Sequence, residues 1–118
     1  MNAQNANPEA VVNAYIEGTA TRNTDLLKSI FAENALMVGW LGPDLLHGGP
    51  EPFYDALEAN EVGDDYSAEI IRIDITHPIA VAEISERNLL GMSFTNHFHL
   101  IHTDADGWKI SSKLFRHY

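Results

Sequence analysis

Apolar and polar residues alternate along the second half of the chain, and this period of two predicts β-strands. We predict four strands, at about 66–76, 79–87, 91–102 and 108–116. The residues from Arg87-Asn88 onward are expected to turn the second strand into the third, and Asp104-Ala105-Asp106-Gly107 is expected to form the last hairpin turn. Because the connections are short, neighbouring strands are predicted to be antiparallel.

The first half of the chain has the 3.6-residue period of amphipathic helices. Asn7-Pro8-Glu9 predicts a helix start, with Asn7 as N-cap, proline in the first turn and an acid at the positive end of the helix dipole. Asn23-Thr24-Asp25 begins a second helix in the same way. A third helix is predicted after Gly48-Gly49-Pro50-Glu51 and ends near Asn60.

A short strand from Leu36 to Trp40 is predicted between the second and third helices. Helices followed by antiparallel strands indicate an α+β fold of two layers. The length of 118 residues suits one domain, so residues 1–118 are predicted to form a single domain. The polar residues 1–6 are expected to fray.

The predicted turns set a register in which one sheet face is apolar. The expected cross-strand pairs are Leu100 with Ile110, Phe98 with Ser112, Ile84 with Phe94, and Ala82 with Asn96. Beside Asn96 and Ser112, the apolar face would carry Ile71, Ile73, Ile75, Ala80, Ala82, Ile84, Phe94, Phe98, Leu100, Trp108, Ile110 and Leu114. The other face mixes polar residues with Val81, His97, His99, Ile101, Lys113 and Phe115.

Asn96 lies in the middle of this apolar face, where a carboxamide without partners costs about 1–3 kcal/mol. Asn96 therefore predicts a pocket between the sheet and the helix that covers it. Tyr15 lies on the apolar stripe of the first helix, so its hydroxyl and the Asn96 amide could both donate to a ligand oxygen. The alternative is that the two side chains satisfy each other or a buried water.

Two histidine features are candidate sites. His97 and His99 share a strand face, with Glu83 nearby, but a zinc site needs three or four protein ligands, so we predict no bound metal. His47 precedes Gly48-Gly49 and could act as an acid, a base or a ligand contact at the mouth of the pocket. A lone loop histidine without such a role is the simpler interpretation.

Charge and composition exclude several classes of protein. The formal net charge of −10 opposes nucleic-acid binding and an anionic membrane role, because both need clustered Lys and Arg. The chain has no cysteine, which fits a cytoplasmic location. No apolar run approaches the ~18 residues of a membrane helix, and no motif predicts a cofactor.

Several segments in order along the chain resemble the nuclear transport factor 2-like superfamily, which includes SnoaL-like cyclases, ketosteroid isomerases and a branch described as putative lumazine-binding. The segments are Val11-Val12-Asn13-Ala14-Tyr15-Ile16-Glu17-Gly18, Ile30-Phe31-Ala32-Glu33-Asn34-Ala35, His47-Gly48, Asn96-His97-Phe98-His99-Leu100 and Gly107-Trp108-Lys109-Ile110. The last two look most like the lumazine-binding branch. The resemblance implies a cone-shaped, bent antiparallel sheet wrapped around three N-terminal helices, with an internal pocket.

The resemblance also implies a homodimer through the outer sheet face and assigns roles to individual residues. Tyr15 matches the oxyanion-binding tyrosine of ketosteroid isomerases, and Asn96 matches their oxyanion-binding aspartate. Their general base falls near Gly39, where this chain has no carboxylate, so steroid isomerisation is not expected.

We therefore expect a pocket that binds an apolar small molecule carrying a carbonyl or hydroxyl. Isomerase, cyclase or lyase chemistry would use Tyr15, Asn96 and His47. The expected ligand-binding residues are Tyr15, Trp40, His47, Phe53, Phe94, Asn96, Phe98, Ser112 and Leu114. The alternative is a dimeric binding or assembly module without catalysis that retains only a residual pocket.

Overall fold

A computed structural model describes residues 2–118 of the chain. After a short 3-10 turn at Ala3–Asn5 come the helices α1 (Pro8–Thr21), α2 (Thr24–Ile30) and α3 (Glu51–Ala59). The strands are β1 (Phe31–Leu41), β2 (Asp44–Gly48), β3 (Ser67–Thr76), β4 (Ile79–Leu89), β5 (Met92–Thr103) and β6 (Gly107–His117). The predicted α+β class is confirmed.

The six strands form one sheet in the order β2-β1-β6-β5-β4-β3. All neighbouring strands are antiparallel except β1 and β6, which pair in parallel, so the sheet is mixed. The helix α1 lies against β3, β4 and β6, and the hydrophobic core fills the space between the helices and this inner sheet face. No helix in residues 2–118 is long and apolar enough to cross a membrane.

Side-chain caps begin the first two helices where the sequence predicts. The Asn7 side chain accepts a hydrogen bond from the Ala10 amide at 2.8 Å, and Asn23 accepts one from the Leu26 amide at 3.1 Å. Each cap satisfies a backbone donor that the first helical turn leaves free.

The N-terminal segment is packed against the rest of the chain through Asn5. Asn5 is buried and its Nδ2 donates to the backbone oxygens of Trp108, at 2.9 Å, and Ser29, at 3.2 Å. The contacts of Asn5 argue against the expected fraying of residues 1–6, which stays a prediction; residue 1 lies outside the described residues. Asn5 ties the start of the chain to both α2 and β6.

The strand β6 contains a β-bulge that changes which side chains face the core. Leu100 pairs with Ile110 as predicted, but His99 pairs with Ser112, so Ser111 is an extra residue without a partner. A bulge adds one residue to a strand of period two and therefore reverses the faces beyond it. Lys113 and Phe115 consequently turn inward, whereas Ser112 and Leu114 turn outward, opposite to the prediction.

The pairing of β4 with β5 differs from the prediction by two residues. Ile84 lies opposite Asn96 and Ala82 opposite Phe98, because β4 continues to Leu89 before the chain turns. A shift of two residues preserves the face of each side chain, so Asn96 is buried as predicted.

The outermost strand β3 has its own bulge, between Ile70 and Arg72. Ile71 is the extra residue there and is exposed, contrary to its predicted place on the apolar face. Ile75 shares a face with buried Ala80 but is also exposed, because it lies on the edge strand.

Candidate functional site

A buried carboxyl group, Glu86, lies at the centre of a polar cluster between α1 and the sheet. Its Oε1 accepts hydrogen bonds from Tyr15 Oη, at 3.1 Å, and from the Asn96 side-chain amide. Its Oε2 accepts a hydrogen bond from Tyr66 Oη at 2.6 Å. Three donors around one carboxylate meet the requirement that a buried charge be hydrogen-bonded.

The tyrosines of this cluster are held in their neutral, proton-donating form. Burial, followed by the nearby Glu86 charge, raises the pKa of the Tyr15 hydroxyl well above its usual value. The same two causes raise the pKa of Tyr66. Both hydroxyls therefore remain donors to Glu86 across the physiological pH range.

Lys113 connects this cluster to a cavity. Its Nζ donates a hydrogen bond to Tyr15 Oη at 2.8 Å and lies 4.4 Å from the centroid of the Phe53 ring and 5.3 Å from that of Phe115. Burial lowers the pKa of Lys113 to about 8, although the Glu86 charge acts in the opposite direction. Lys113 is thus a buried amine with an aromatic surround and one hydroxyl partner.

The cavity has a volume of about 390 Å³ and lies between α3, the β1–β2 hairpin and the inner sheet face. Among the residues that line the cavity, only Lys113 and His47 have titratable side chains. The remaining lining residues are Met37, Leu41, Leu46, Gly48, Gly49, Pro52, Phe53, Ala56, Leu89, Leu90, Met92, Phe94 and Phe115. The site is therefore an apolar cavity with one amine at its inner side.

Three of the predicted ligand-binding residues border this cavity: His47, which is exposed, together with Phe53 and Phe94. Tyr15 and Asn96 are fully buried behind the lining and bond to Glu86, not to each other. Phe98 packs against Tyr15 in the core, with ring centroids 4.9 Å apart.

The other three predicted ligand-binding residues face away from the cavity, and those predictions are wrong. Ser112 and Leu114 lie on the outer face because of the β6 bulge; the Ser112 hydroxyl is 3.0 Å from His99 Nδ1. Trp40 is 52% exposed, since from Ala35 onward the odd-numbered residues of β1 are the ones that turn inward.

Sequence reasoning missed Glu86 and Lys113, the two charged residues of the site. Glu86 has the same parity in β4 as Ala80, Ala82 and Ile84, so the alternation that placed those residues inward also applied to it. Lys113 carried no such signal, because only the bulge at Ser111 turns it inward.

Close packing at Gly39 leaves no room for a general base there. A Cβ atom at Gly39 would collide with the backbone oxygen of Phe115 and would lie 2.6 Å from its ring, which the β6 bulge directs inward. A side chain at position 39 is therefore excluded unless Phe115 moves. Lys113 supplies the polar side chain at the inner side of the cavity. His47 is part of the lining, but it lies opposite Val38, so the alternation along β2 places its side chain on the face opposite to that of Gly48.

No group of three or more His, Asp or Glu side chains within residues 2–118 is arranged to hold a metal ion. His97 lies opposite Glu83 on the outer face, and Glu83 instead meets Arg72, with Oε1 3.5 Å from Nε. The absence of a bound metal stays a prediction for the protein in solution.

Comparison with known proteins identifies the family. Residues 3–116 match the model of the family described as "Putative lumazine-binding", and the chain belongs to this family, in agreement with the resemblance of its sequence. A comparison with curated proteins gives no match.

Solved structures share the fold at low sequence identity. An NTF2-like protein of unknown function from Shewanella baltica is 24% identical, with a TM-score of 0.83 over 92% of this chain and 88% of that chain. One from Silicibacter pomeroyi is 22% identical, with a TM-score of 0.83 over 93% and 92%. A ketosteroid isomerase-like protein from Erwinia carotovora is 16% identical, with a TM-score of 0.69 over 99% and 98%. These similarities establish the fold.

Proposed function

We propose that this protein binds an apolar small molecule that carries a carbonyl or hydroxyl oxygen. The observation that supports this most directly is the apolar cavity of about 390 Å³ with the Lys113 amine at its inner side. Its volume is within the range of small-molecule sites, which are mostly apolar with a few placed polar groups. Lys113 would donate to the ligand oxygen, and Phe53 and Phe94 would contact its apolar part.

The names of the family and of one structural neighbour are compatible with this proposal. Lumazine is a bicyclic ring system bearing carbonyl oxygens, and a ketosteroid is a large apolar molecule with a carbonyl. Both carry a carbonyl oxygen that the Lys113 amine could meet, and the ketosteroid adds the mainly apolar body that suits the lining. Isomerase, cyclase or lyase chemistry would require a proton donor or acceptor at the ligand; Lys113 is the candidate at the inner side of the cavity, and His47 is a candidate at its exposed mouth.

A cavity-filling variant tests the proposal without disturbing the buried cluster. Gly48 lies opposite Met37 on the inner face, and a Cβ added there meets no atom within 4 Å. Gly48→Phe should therefore place a ring in the cavity at little cost in stability. Ala105→Phe is the matched control, because Ala105 is exposed in the β5–β6 turn, at the opposite end of β5 from the cavity residue Met92.

Binding would be measured by ligand-observed NMR and by thermal shift with 3-phenylpropanol, a small aromatic alcohol, and with lumazine. We expect the wild type and Ala105→Phe to bind at least one of them, and Gly48→Phe to lose that binding. Equal binding by all three proteins would place the ligand outside the cavity. The absence of binding to any member of a wider alcohol and ketone panel would overturn the proposal.

A dimeric assembly module is the second candidate, and the outer sheet face favours it. This face carries an apolar outer strip, defined here as Trp40, Ile79, Val81, Ile101 and Leu114, all more than a third exposed. His97 lies opposite Leu114, and His99 opposite Val81, so polar groups are interleaved with the strip. A second copy of the chain would bury this strip, with a mixed composition typical of interfaces. Phe115, predicted to be part of this interface, is instead buried in the core.

A further inference from the structure

The position of Lys113 is unusual for a lysine because its whole side chain lies inside the protein. Its side chain is surrounded by Phe53, Tyr15 and Phe115, and its Nζ has Tyr15 Oη as hydrogen-bond partner. No carboxylate within residues 2–118 forms a direct ion pair with it. A desolvated amine of this kind is the form of lysine that acts as a nucleophile towards carbonyl compounds.

The other two lysines lie in different surroundings. Lys28 is exposed on α2, and Lys109 is partly exposed at the start of β6, before the bulge. Of the three lysines, Lys113 lines the cavity, beside Phe53 and Phe115, and the other two do not. A carbonyl group bound in the cavity would therefore meet one lysine amine, that of Lys113, at the inner side of the cavity.

We propose that Lys113 forms an imine with the carbonyl carbon of an aldehyde or ketone bound in the cavity. This inference rests on the proposed small-molecule binding and specifies its chemistry. The Nζ lone pair attacks the carbonyl carbon to give a carbinolamine, and loss of water then leaves a C=N double bond. The overall change is one amine plus one carbonyl giving one imine plus one water, with no oxidation or reduction.

The buried cluster supplies a path for the protons that this reaction moves. Lys113 Nζ donates to Tyr15 Oη, and Tyr15 Oη in turn donates to Glu86 Oε1. The ammonium proton can pass to Tyr15 as the Tyr15 proton passes to Glu86. The reverse movement returns a proton to the carbinolamine hydroxyl, which leaves as water. Tyr15 and Glu86 are thus positioning residues that act through Lys113.

The free-amine fraction of Lys113 supports the same reaction. With a pKa of about 8 in place of 10.5, the unprotonated amine is about 300-fold more abundant at neutral pH than on an exposed lysine. The titratable groups around it are Tyr15 from α1, Tyr66 from the segment before β3, Glu86 from β4 and His47 across the cavity. The residues that α3 contributes to the cavity, Pro52, Phe53 and Ala56, do not titrate.

Reductive trapping tests this directly on the wild-type protein. The probe is 3-phenylpropanal with sodium cyanoborohydride, which reduces an imine to a stable amine, and 3-phenylpropanol serves as the carbonyl-free control. We expect the aldehyde to add one phenylpropyl group per chain, mapped to Lys113 by peptide mass spectrometry, with at least about 10-fold less label on Lys28 and Lys109. Equal labelling of all three lysines would overturn the proposal.

Variants and pH separate an imine-forming amine from a merely buried one. Lys113→Met should abolish single-site labelling, whereas Lys28→Met should leave it unchanged. The wild-type labelling rate should rise with pH and reach half its maximum near pH 8. Tyr15→Phe removes the acceptor that stabilises the ammonium, so it should shift this midpoint to lower pH. A pH midpoint that Tyr15→Phe leaves in place would contradict the proton path.

The test also distinguishes failure of the imine from failure of binding. If 3-phenylpropanol binds and Gly48→Phe blocks it, but the aldehyde never labels Lys113, the imine proposal fails and the binding proposal stands. If neither probe nor the wider panel binds, the function itself fails. The labelled lysine is identified on the wild-type protein alone. The test therefore stays decisive even if the Lys113→Met variant folds poorly.

Discussion

Tyr15 and Asn96 donate hydrogen bonds to the same oxygen atom, Oε1 of Glu86. The two donors come from α1 and β5, and the acceptor from β4, so one buried oxygen joins three elements across the core. A buried carboxylate is tolerated only when its donors are in place, and removing one of them exposes the full cost of its desolvation. Tyr15 and Asn96, which the sequence suggested as an oxyanion site for a ligand, therefore already bind a carboxylate of the protein itself, that of Glu86.

This arrangement predicts that Asn96→Leu destabilises the fold. The substitution removes a donor from Glu86, although it also removes Asn96 Oδ1, which is buried without a partner within residues 2–118. We expect a net loss of about 1–3 kcal/mol in the free energy of unfolding, measured by urea denaturation. Asn13→Leu, on the exposed face of α1, is the matched control and should change it by less than about 0.5 kcal/mol. Unchanged stability in both variants would show that the Asn96–Glu86 bond contributes nothing.

The features of this site that the sequence predicts depend on residues nearby in the chain, and the features it does not predict depend on an irregularity in strand pairing. The cap residues Asn7 and Asn23 and the parity of Asn96 depend on neighbours within a few positions, so the sequence reveals them. Lys113 faces inward only because Ser111 is an extra residue in β6. Nothing in Lys109-Ile110-Ser111-Ser112-Lys113 marks the bulge, since serine suits either face of a strand.

The order of the strands shows the same limit. Short turns predict the antiparallel pairs formed by β3, β4, β5 and β6, which are consecutive in the chain. The parallel pairing of β1 with β6 joins segments about 75 residues apart, and β1 extends well beyond the predicted 36–40. The sequence pattern of a strand carries no information on which distant strand it meets.

Gly39 and Gly48 offer a matched pair of glycines for testing the packing at the cavity. Gly39→Ala should destabilise the protein by about 1–3 kcal/mol, because its Cβ would collide with the backbone oxygen of Phe115 and would lie 2.6 Å from the Phe115 ring. Gly48→Ala should be neutral or slightly stabilising, since a Cβ there meets no atom within 4 Å. Thermal or urea unfolding of the two variants measures the difference. Equal stabilities would contradict the close approach of Phe115 to Gly39.

The outer strip predicts a homodimer whose interface includes Leu114. Leu114→Glu would place a charge in the centre of the strip and should weaken association by about 2 kcal/mol or more. Ile75→Glu is the matched control, because Ile75 is equally exposed, at 56% against 54%, but lies on the edge strand away from the strip. Light scattering at micromolar concentration should give a dimer mass for the wild type and the control. A monomeric wild type would refute this interface.

Lys113 makes the stability of the protein depend on pH in a predictable direction. Burial gives its ammonium a pKa of about 8 in the folded protein, below the value of 10.5 for an exposed lysine. Between these two values the unfolded chain binds more protons than the folded one, so the free energy of unfolding rises with pH. Below about pH 8 both states are protonated, and the full cost of the buried charge is present.

The opposite dependence is expected at higher pH because of the tyrosines. Burial, with a smaller contribution from the Glu51 charge, raises the pKa of Tyr54 to about 12, and burial together with Glu86 raises those of Tyr15 and Tyr66. Above about pH 10 tyrosine ionises in the unfolded chain before it ionises in the folded protein, so stability falls. The effect of Lys113 must therefore be measured below that point.

We predict that the wild type gains stability relative to Lys113→Met as the pH rises. The difference between their free energies of unfolding should change by about 2 kcal/mol in favour of the wild type from about pH 7 to about pH 9.5. The subtraction removes the contributions of groups that titrate alike in both proteins. Lys28→Met controls for the loss of one positive charge from a chain of net charge −10 and should give a difference that stays flat over this range. Urea denaturation at several pH values measures all three proteins. A flat difference for Lys113→Met as well would mean that Lys113 titrates as an exposed lysine does, and the buried amine at the cavity would have to be abandoned.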